Sequence, residues 1–456
     1  MTDASARPRR ARLLGAAAAA LVIASGTVIH AGGVAGAEGP VPAARADNPY
    51  EGVTAYVNPE WSARAAAEPG GSAVAGQPTA VWLTSIASIT GSAGHMGLRA
   101  HLDAALAQDA GLIQLVLYDL PGRACNRRSS FGELAPNEIA RYRTEFVDPI
   151  AAILADPAYA GLRVVTVIEP NSLPNLVTHV SPRPIATPLC DEMSANGGYL
   201  AGVGHALARL GAIGNVYAYL DIGHHGRLGW EENVQPAMDV YLAVANAAGA
   251  TPAAVHGFTS NVADYAVLRE LYFTVDDVVN GRPVREDSPW IDWNDYVDEV
   301  PYAVAFRDKL AGAGFDPGIG MVIDTSRNGW GGPDRPTGPG PTTSAAEYVE
   351  GGRLDRRGWI GNYCNQTGAG LGERPAVAPE PGIDAYAWLK PPGESDGRGI
   401  DSPIEDPLDR MCDPLYEHRE TGTPIWTGAL PEGPPAGSWF SAHFQQLLRN
   451  AHPPLA

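Results

Sequence analysis

Polar and ionisable residues recur in this chain directly after short apolar, β-branched runs, and that placement is where chemistry is expected. Read in order, the ends of those runs are Tyr118-Asp119, Glu169-Pro170-Asn171, Asp221, Asn261, Asp324 and Lys390, with Glu394 and Asp396 a few residues further on. One Asp after a strand is usually a loop cap, whereas a series converging on one rim points to a ligand site. Carboxyl groups gathered in this way can take acid and base roles. Tyr56, Trp230, Tyr363 and Trp388 lie near the same ends and offer flat faces for stacking, although Trp388, inside an apolar run, is expected in the core.

The runs that must position these groups are Ala80–Ile86, Leu112–Leu120, Leu162–Ile168, Val216–Leu220, Ala254–Thr259, Gly320–Ile323 and Ala385–Leu389, each about the length of a buried parallel strand. Helical patterns fall between them at Pro136–Leu154, Met193–Leu210, Val234–Ala248, Val300–Ala313 and Phe440–Leu448. Strands alternating with helices over most of the chain predict one α/β barrel rather than several open sheets.

Composition narrows the partners. The 456 residues include 51 acidic and 32 basic side chains, a formal charge of −19, which disfavours nucleic acid and anionic membrane surfaces. Arg7, Arg9, Arg10 and Arg12 precede an apolar run from Leu13 to Ile29, which reads as a secretory signal peptide over residues 1–37, with cleavage as late as Ala46. Residues 38–49 read as a flexible leader and 50–456 as a single domain, without a carbohydrate-binding module. Cys125, Cys190, Cys364 and Cys412 match no zinc spacing, so disulfides are expected in an exported chain, in any of the pairings that four cysteines allow.

Five internal segments then carry a resemblance. They are Val116-Leu-Tyr-Asp-Leu-Pro121, Val167-Ile-Glu-Pro-Asn-Ser-Leu-Pro-Asn-Leu-Val177, Tyr219-Leu-Asp-Ile-Gly-His-His-Gly226, Gly257-Phe-Thr-Ser-Asn-Val262 and Ala387-Trp-Leu-Lys-Pro-Pro-Gly-Glu-Ser-Asp-Gly397, and Phe444-Gln-Gln-Leu-Leu-Arg-Asn450 follows them. In this order the chain resembles glycoside hydrolase family 6, the inverting cellobiohydrolases and endoglucanases of β-1,4-glucan. The resemblance implies a distorted TIM-like barrel of about seven parallel strands with long loops on the C-terminal face. It also implies disulfides Cys125–Cys190 and Cys364–Cys412, and loops after Cys125 and between Lys390 and Cys412 that roof the cleft, with Ser395–Met411 long enough for a lid. Asp396 matches the proposed base, Arg327 and Lys390 the basic neighbours that keep it ionised, and Ser130 the serine that positions water. Tyr56, Tyr118, Asp221, His224, Arg227, Trp230, Asn261, Tyr363 and Glu394 match or neighbour positions lining the sugar subsites. A glycan partner, no cofactor, no catalytic metal, a monomeric state and secretion complete the expectation.

Two positions depart from the family. An inverting glycosidase needs a carboxylic acid to protonate the departing oxygen and a carboxylate to activate water on the opposite face. The acid position is Asn171, and an amide cannot transfer a proton. The Asp that supports the acid is replaced by Ala124, within Gly122-Arg-Ala-Cys125. Arg227, Tyr56 and Tyr363 stand where the family often has tryptophans, and an Arg in place of a stacking ring can read a polar or anionic substituent. Two readings follow: a secreted glucanase whose proton comes from another group, with Asp119, Glu169, Glu133 and His225 nearest in sequence but the first two reading as structural, or a pseudoenzyme that binds glycan in an inherited cleft. A third is action on a donor whose leaving group needs no protonation.

Overall fold

The chain folds around a curled, mostly parallel sheet. A computed structural model describes residues 45–92, 94–127, 132–399, 409–418 and 423–455. The signal-peptide stretch, Ser130 and most of the expected lid lie outside the described residues. Among the described residues no helix is long and apolar enough to cross a membrane.

Strands β1 (Val81–Leu83), β2 (Leu112–Leu117), β3 (Arg163–Ile168), β4 (Val216–Asp221), β5 (Gly257–Ser260), β6 (Gly320–Asp324), β7 (Ala376–Glu380) and β8 (Ile383–Ala387) form one sheet in the order β1-β2-β3-β4-β5-β6-β8-β7. All neighbours are parallel except β7, which pairs antiparallel with β8. The seven parallel strands are those expected from the apolar runs. Beyond β8 the sheet curls back on its first strand through a parallel bridge between Thr79 and Trp388, with Ala80 N–H donating to Trp388 O at 3.1 Å.

Alternation along the strands builds two apolar layers. Val116, Val165, Val167, Tyr217, Tyr219, Val322, Ala385 and Ala387 pack together on one face, while Leu115, Leu117, Val164, Ile168, Ala218, Leu220, Phe258 and Met321 pack with the helices on the other. With both faces covered, β2 and β4 are buried at every residue, which is why they read as continuous apolar runs. Helices Gly198–Leu210, Glu231–Ala245 and Glu299–Ala313 supply much of the outer layer.

Two helical expectations need correction. The pattern at Met193–Leu210 is two helices, Pro188–Ala195 and Gly198–Leu210, parted at Gly197, whose φ of 66° no helix continues. The pattern at Pro136–Leu154 begins at Ile139 and passes through a wider π turn over Tyr142–Val147, from which the Tyr142 hydroxyl reaches Glu169. Both expected disulfides are present, Cys125–Cys190 and Cys364–Cys412. They tie the loops after β2 and β8 to neighbouring segments.

The strand ends are held together by carboxylates that accept backbone N–H groups. Asp324, buried at the end of β6, accepts Ala263 N (3.0 Å) and Lys390 N (2.9 Å) on one oxygen and Ser326 N (3.0 Å) on the other. Removing it orphans all three donors, each at a cost of about 1–3 kcal/mol. Asp324→Ala is therefore expected to lose about 3 kcal/mol or more in a denaturant titration, with Asp324→Asn intermediate; a loss below about 1 kcal/mol would contradict this bonding role.

Candidate active site

The loop after β8 presents Lys390, Glu394 and Asp396 on the side where the parallel strands end. Asp396 is buried and receives Arg327 Nη1 on both oxygens (2.8 and 2.7 Å), with the Tyr265 hydroxyl (2.7 Å) and the Asn365 N–H (2.9 Å) on Oδ2. Arg327 has no exposed side-chain surface and lies over the Tyr265 ring, 4.2 Å from its centroid. Burial opposes the charged form of Asp396, but Arg327, Lys390 and the Asn365 N–H outweigh it and hold the carboxyl below its ordinary range. The group is thus a fixed anion. Oδ2 is crowded with donors, so Oδ1 retains the greater capacity to accept from water.

Lys390 Nζ lies 3.3 Å from Glu394 Oε2 and 5.1 Å over the Trp82 ring. Trp82 in turn meets Tyr118 edge to face, with ring centroids 5.4 Å apart. Trp82, Glu394, Trp61, Ser85 and His95 line a cavity of about 280 Å³.

Across β3 the geometry is different. Beyond Ile168 the chain turns sharply, and Glu169 and Asn171 both adopt left-handed φ, at 47° and 66°. Glu169 is buried and accepts Asp119 N (2.9 Å), Leu120 N (3.1 Å) and the Tyr142 hydroxyl (3.0 Å), which joins the ends of β2 and β3. Asn171 N–H donates to Asp221 Oδ2 at 2.8 Å. The Asn171 amide oxygen accepts Arg227 Nη1 at 2.5 Å, and Arg227 Nη2 donates to Asn175 Oδ1, one turn further along the helix Ser172–Thr178. Asn175 Nδ2 continues the chain to Asn126 Oδ1 at 2.9 Å. A guanidinium can only donate, so the amide of Asn171 must turn its oxygen to Arg227 and leave Nδ2 as its outward donor. Ala124, buried, offers a methyl and nothing that titrates.

Arg227 also lines a cavity of about 340 Å³ with Arg127, His179, His224, Trp230 and Tyr363. Arg127 stacks on Tyr363, 3.6 Å from the ring centroid, while the Tyr363 hydroxyl donates to Asp409 at 2.6 Å. Burial, followed by the charges of Arg227 and Arg127, pushes His179 down to about 3. His224 is likewise driven well down, by burial and then by Arg357 and its other cationic neighbours. Trp230 anchors its indole N–H on Asp292 O at 2.7 Å.

Several expected site residues do other work. Tyr56 is a core residue rather than a sugar platform: it is 2% exposed, and its hydroxyl meets His101 Nδ1 at 3.0 Å. Asn261 is fully buried, donating to Ala266 O and Asp324 O and accepting Ala266 N, so it shapes the turn after β5 instead of facing ligand. Asp221 is buried behind Asn171, and burial pushes its carboxyl up to about 7. Trp388 is in the core, as expected.

The proton donors nearest in sequence all have other partners. Glu169 is sealed among its donors, and Asp119 has no exposure. Glu133 accepts Ile86 N at 2.7 Å, and His225 Nδ1 is 2.6 Å from Glu299 Oε1. His224, His225 and Glu299 bring ligand-type atoms within 4.8 Å of one another; His225 Nδ1 and Glu299 Oε1 are bonded to each other, Gly226 N–H donates to His224 Nδ1, and His224 Nε2 lies 3.3 Å from Asp264.

Tyr265, Asn365 and Arg127 are functional neighbours that the sequence does not single out. Their only signals are closeness to Asn261, Cys364 and Cys125.

Comparisons with known proteins agree with the fold. The model for glycosyl hydrolases family 6 matches residues 46–451. Exoglucanase A of Cellulomonas fimi is 43% identical over 432 residues, covering 89% of this chain and 48% of that protein, so the chain spans about half the length of that relative. 1,4-beta-D-glucan cellobiohydrolase C of Emericella nidulans is 32% identical, covering 91% of this chain and 80% of the relative. Among solved structures, the catalytic domain of Cellulomonas fimi Cel6B superposes with a TM-score of 0.86 at 42% identity, covering 91% of this chain and 97% of that one. Cellobiohydrolase II (Cel6A) of Humicola insolens, in complex with glucose and cellotetraose, gives 0.67 at 30% identity, covering 89% and 99%.

The buried acids make a pH prediction. Burial raises Glu169 and Asp221 to about 7 and Asp119 and Glu270 to about 8, so the folded chain holds protons there that the unfolded chain releases nearer 4. Their stabilisation is complete below about pH 4, the unfolded value, declines above it, and is gone once pH has risen through 7 to 8. His179 and His443, depressed to about 3 by burial, act oppositely, and their effect is complete once pH passes their ordinary 6.5. The four acids outnumber the two histidines, so the melting temperature, followed by calorimetry, should fall by several degrees from about pH 6.5, where the histidine contribution is complete, toward about pH 8.5. A rise over that upper interval would contradict these assignments.

Proposed function

This chain belongs to family 6 of the glycosyl hydrolases, and we propose that it is an exported, β-1,4-glucan-directed hydrolase of inverting geometry with water activation retained and proton delivery lost. The observation that carries the reading is the Arg227 guanidinium closed on the amide oxygen of Asn171. Relatives named as an exoglucanase and a 1,4-β-D-glucan cellobiohydrolase, and a neighbour holding cellotetraose, support glucan as the substrate class. Arginines ahead of an apolar N-terminal run, together with two disulfides, support export.

In this reading a water on the Asp396 side attacks the anomeric carbon and gives its proton to Oδ1, directly or through a second water, while Arg327 fixes the carboxylate. The bond to the leaving oxygen breaks on the Asn171 side. There Nδ2 can offer a hydrogen bond but no proton, so the general-acid contribution of about 10²–10⁴ is missing. A leaving group that is stable as an anion does not need it.

Restoring the acid takes more than one residue. A carboxylate at position 171 would face Arg227 as an ion pair, which holds it ionised when an acid must be protonated. Ala124 also supplies no neighbouring negative charge to raise it.

The test is to assay the mature protein on soluble β-glucan and on cellobiosyl fluoride. Fluoride should be hydrolysed and the activity lost in Asp396→Ala, while intact glucan turns over about 10²–10⁴ more slowly than in a variant with the acid rebuilt. Asn171→Asp alone should recover little; Asn171→Asp with Arg227→Trp and Ala124→Asp should recover most. Rapid wild-type turnover of glucan that depends on Asp396 would sink the loss of proton delivery. Oligosaccharide binding without turnover of fluoride would make the chain a glycan-binding pseudoenzyme.

A further inference from the structure

The 340 Å³ cavity beside Asn171 brings three arginines together in a chain whose overall charge is −19. Arg127, Arg183 and Arg227 line it, and among the described residues none of the three forms an ion pair. Their partners are neutral. Arg227 holds two amide oxygens, Arg127 lies on the Tyr363 ring with a buried and unpartnered Nε, and Arg183 donates to the Glu232 carbonyl at 3.1 Å.

Asp264, Glu232 and Asp292 also line the cavity and Asp409 adds its field to Arg127, but none of these carboxylates forms an ion pair with the three arginines. Asp264 is engaged by Arg357 at 2.7 Å and lies 3.3 Å from His224 Nε2, while Glu232 and Asp292 are exposed. His179 and His224 are driven neutral, with the nearby guanidiniums adding to the effect of burial. Charged guanidiniums fixed by neutral groups keep donor capacity for a further oxyanion. Arg127 also covers one face of Tyr363, where a neutral sugar ring would otherwise stack.

We infer that this cavity binds an anionic substituent, a carboxylate or phosphate carried by the glycan on the leaving-group side of Asn171. The inference rests on the proposed glycan-binding reading and narrows its substrate class from neutral glucan to an oxyanion-bearing glycan. Arg227 contributes the recognition while also fixing Asn171, and Arg127 supplies a second guanidinium to the same space.

The test is calorimetric titration of the full chain with cellobiose, cellobiouronic acid and cellobiose 6-phosphate at low ionic strength. At least one anionic disaccharide should bind about ten- to a hundredfold more tightly than cellobiose, and the difference should shrink with added salt. The comparison of the two anions distinguishes carboxylate from phosphate. Arg127→Gln and Arg227→Gln, checked for unchanged melting temperature, should each lose most of the preference; Arg127→Lys should keep part of it. If either Gln substitution lowers the melting temperature, the wild-type preference and its salt dependence decide. Equal binding of all three ligands, or a preference that survives both folded Gln variants, would overturn the inference and leave glycan binding standing. No binding of any of them would overturn both.

Discussion

Arg227 donates one nitrogen to Asn171 and the other to Asn175, and the chemistry open to the cleft is set by that contact. A guanidinium stays charged throughout the working pH range and has no acceptor, so it orients whatever amide or carboxylate faces it. Facing an amide, it fixes a neutral donor where, in the proposed reading, the glycosidic oxygen departs. Facing a carboxylate, it would fix an anion. In the proposed reading Asn171, Ala124 and Arg227 form a consistent set, and a carboxylate placed at 171 alone is held ionised by Arg227.

The opposite side of the cleft is built on the reverse principle. There the guanidinium of Arg327 meets a true carboxylate, and Tyr265 and the Asn365 N–H complete its shell. Buried charges persist only when paired and hydrogen-bonded, and Asp396 meets that condition. In the proposed reading, one half of an inverting pair is thus held ionised by its surroundings, and the other half offers an amide, a methyl and a cation in place of titratable groups.

The fold was largely legible because parallel strands covered on both faces must be continuously apolar, and the runs around Val116, Val167 and Tyr219 are. Chain order gave the sheet order, except that the antiparallel β7 is too polar and exposed to stand out. Helix breaks were harder: Gly197 interrupts a periodic stretch through its φ, and the pattern at Met193–Leu210 does not reveal that. The acidic rim was legible as a location but not as a set of roles. Glu169, Asp221 and Asp324 sit at strand ends because backbone N–H groups there need acceptors, so most of the carboxylates on that rim are structural. Tyr56 misled because position near a strand end does not fix which way a ring points. Arg127 was missed because its stacking on Tyr363 joins residues far apart in sequence.

The account stands or falls on whether a proton reaches the departing oxygen. The direct measurement is the dependence of kcat/KM on leaving-group acidity across a series of aryl β-cellobiosides, made with the wild-type protein. Without proton delivery the developing charge stays on the phenol oxygen, so the rate should fall steeply as the phenol becomes less acidic. A flat dependence that Asp396→Ala abolishes would show that some group donates a proton after all, and would contradict the assignment of Arg227 and Asn171.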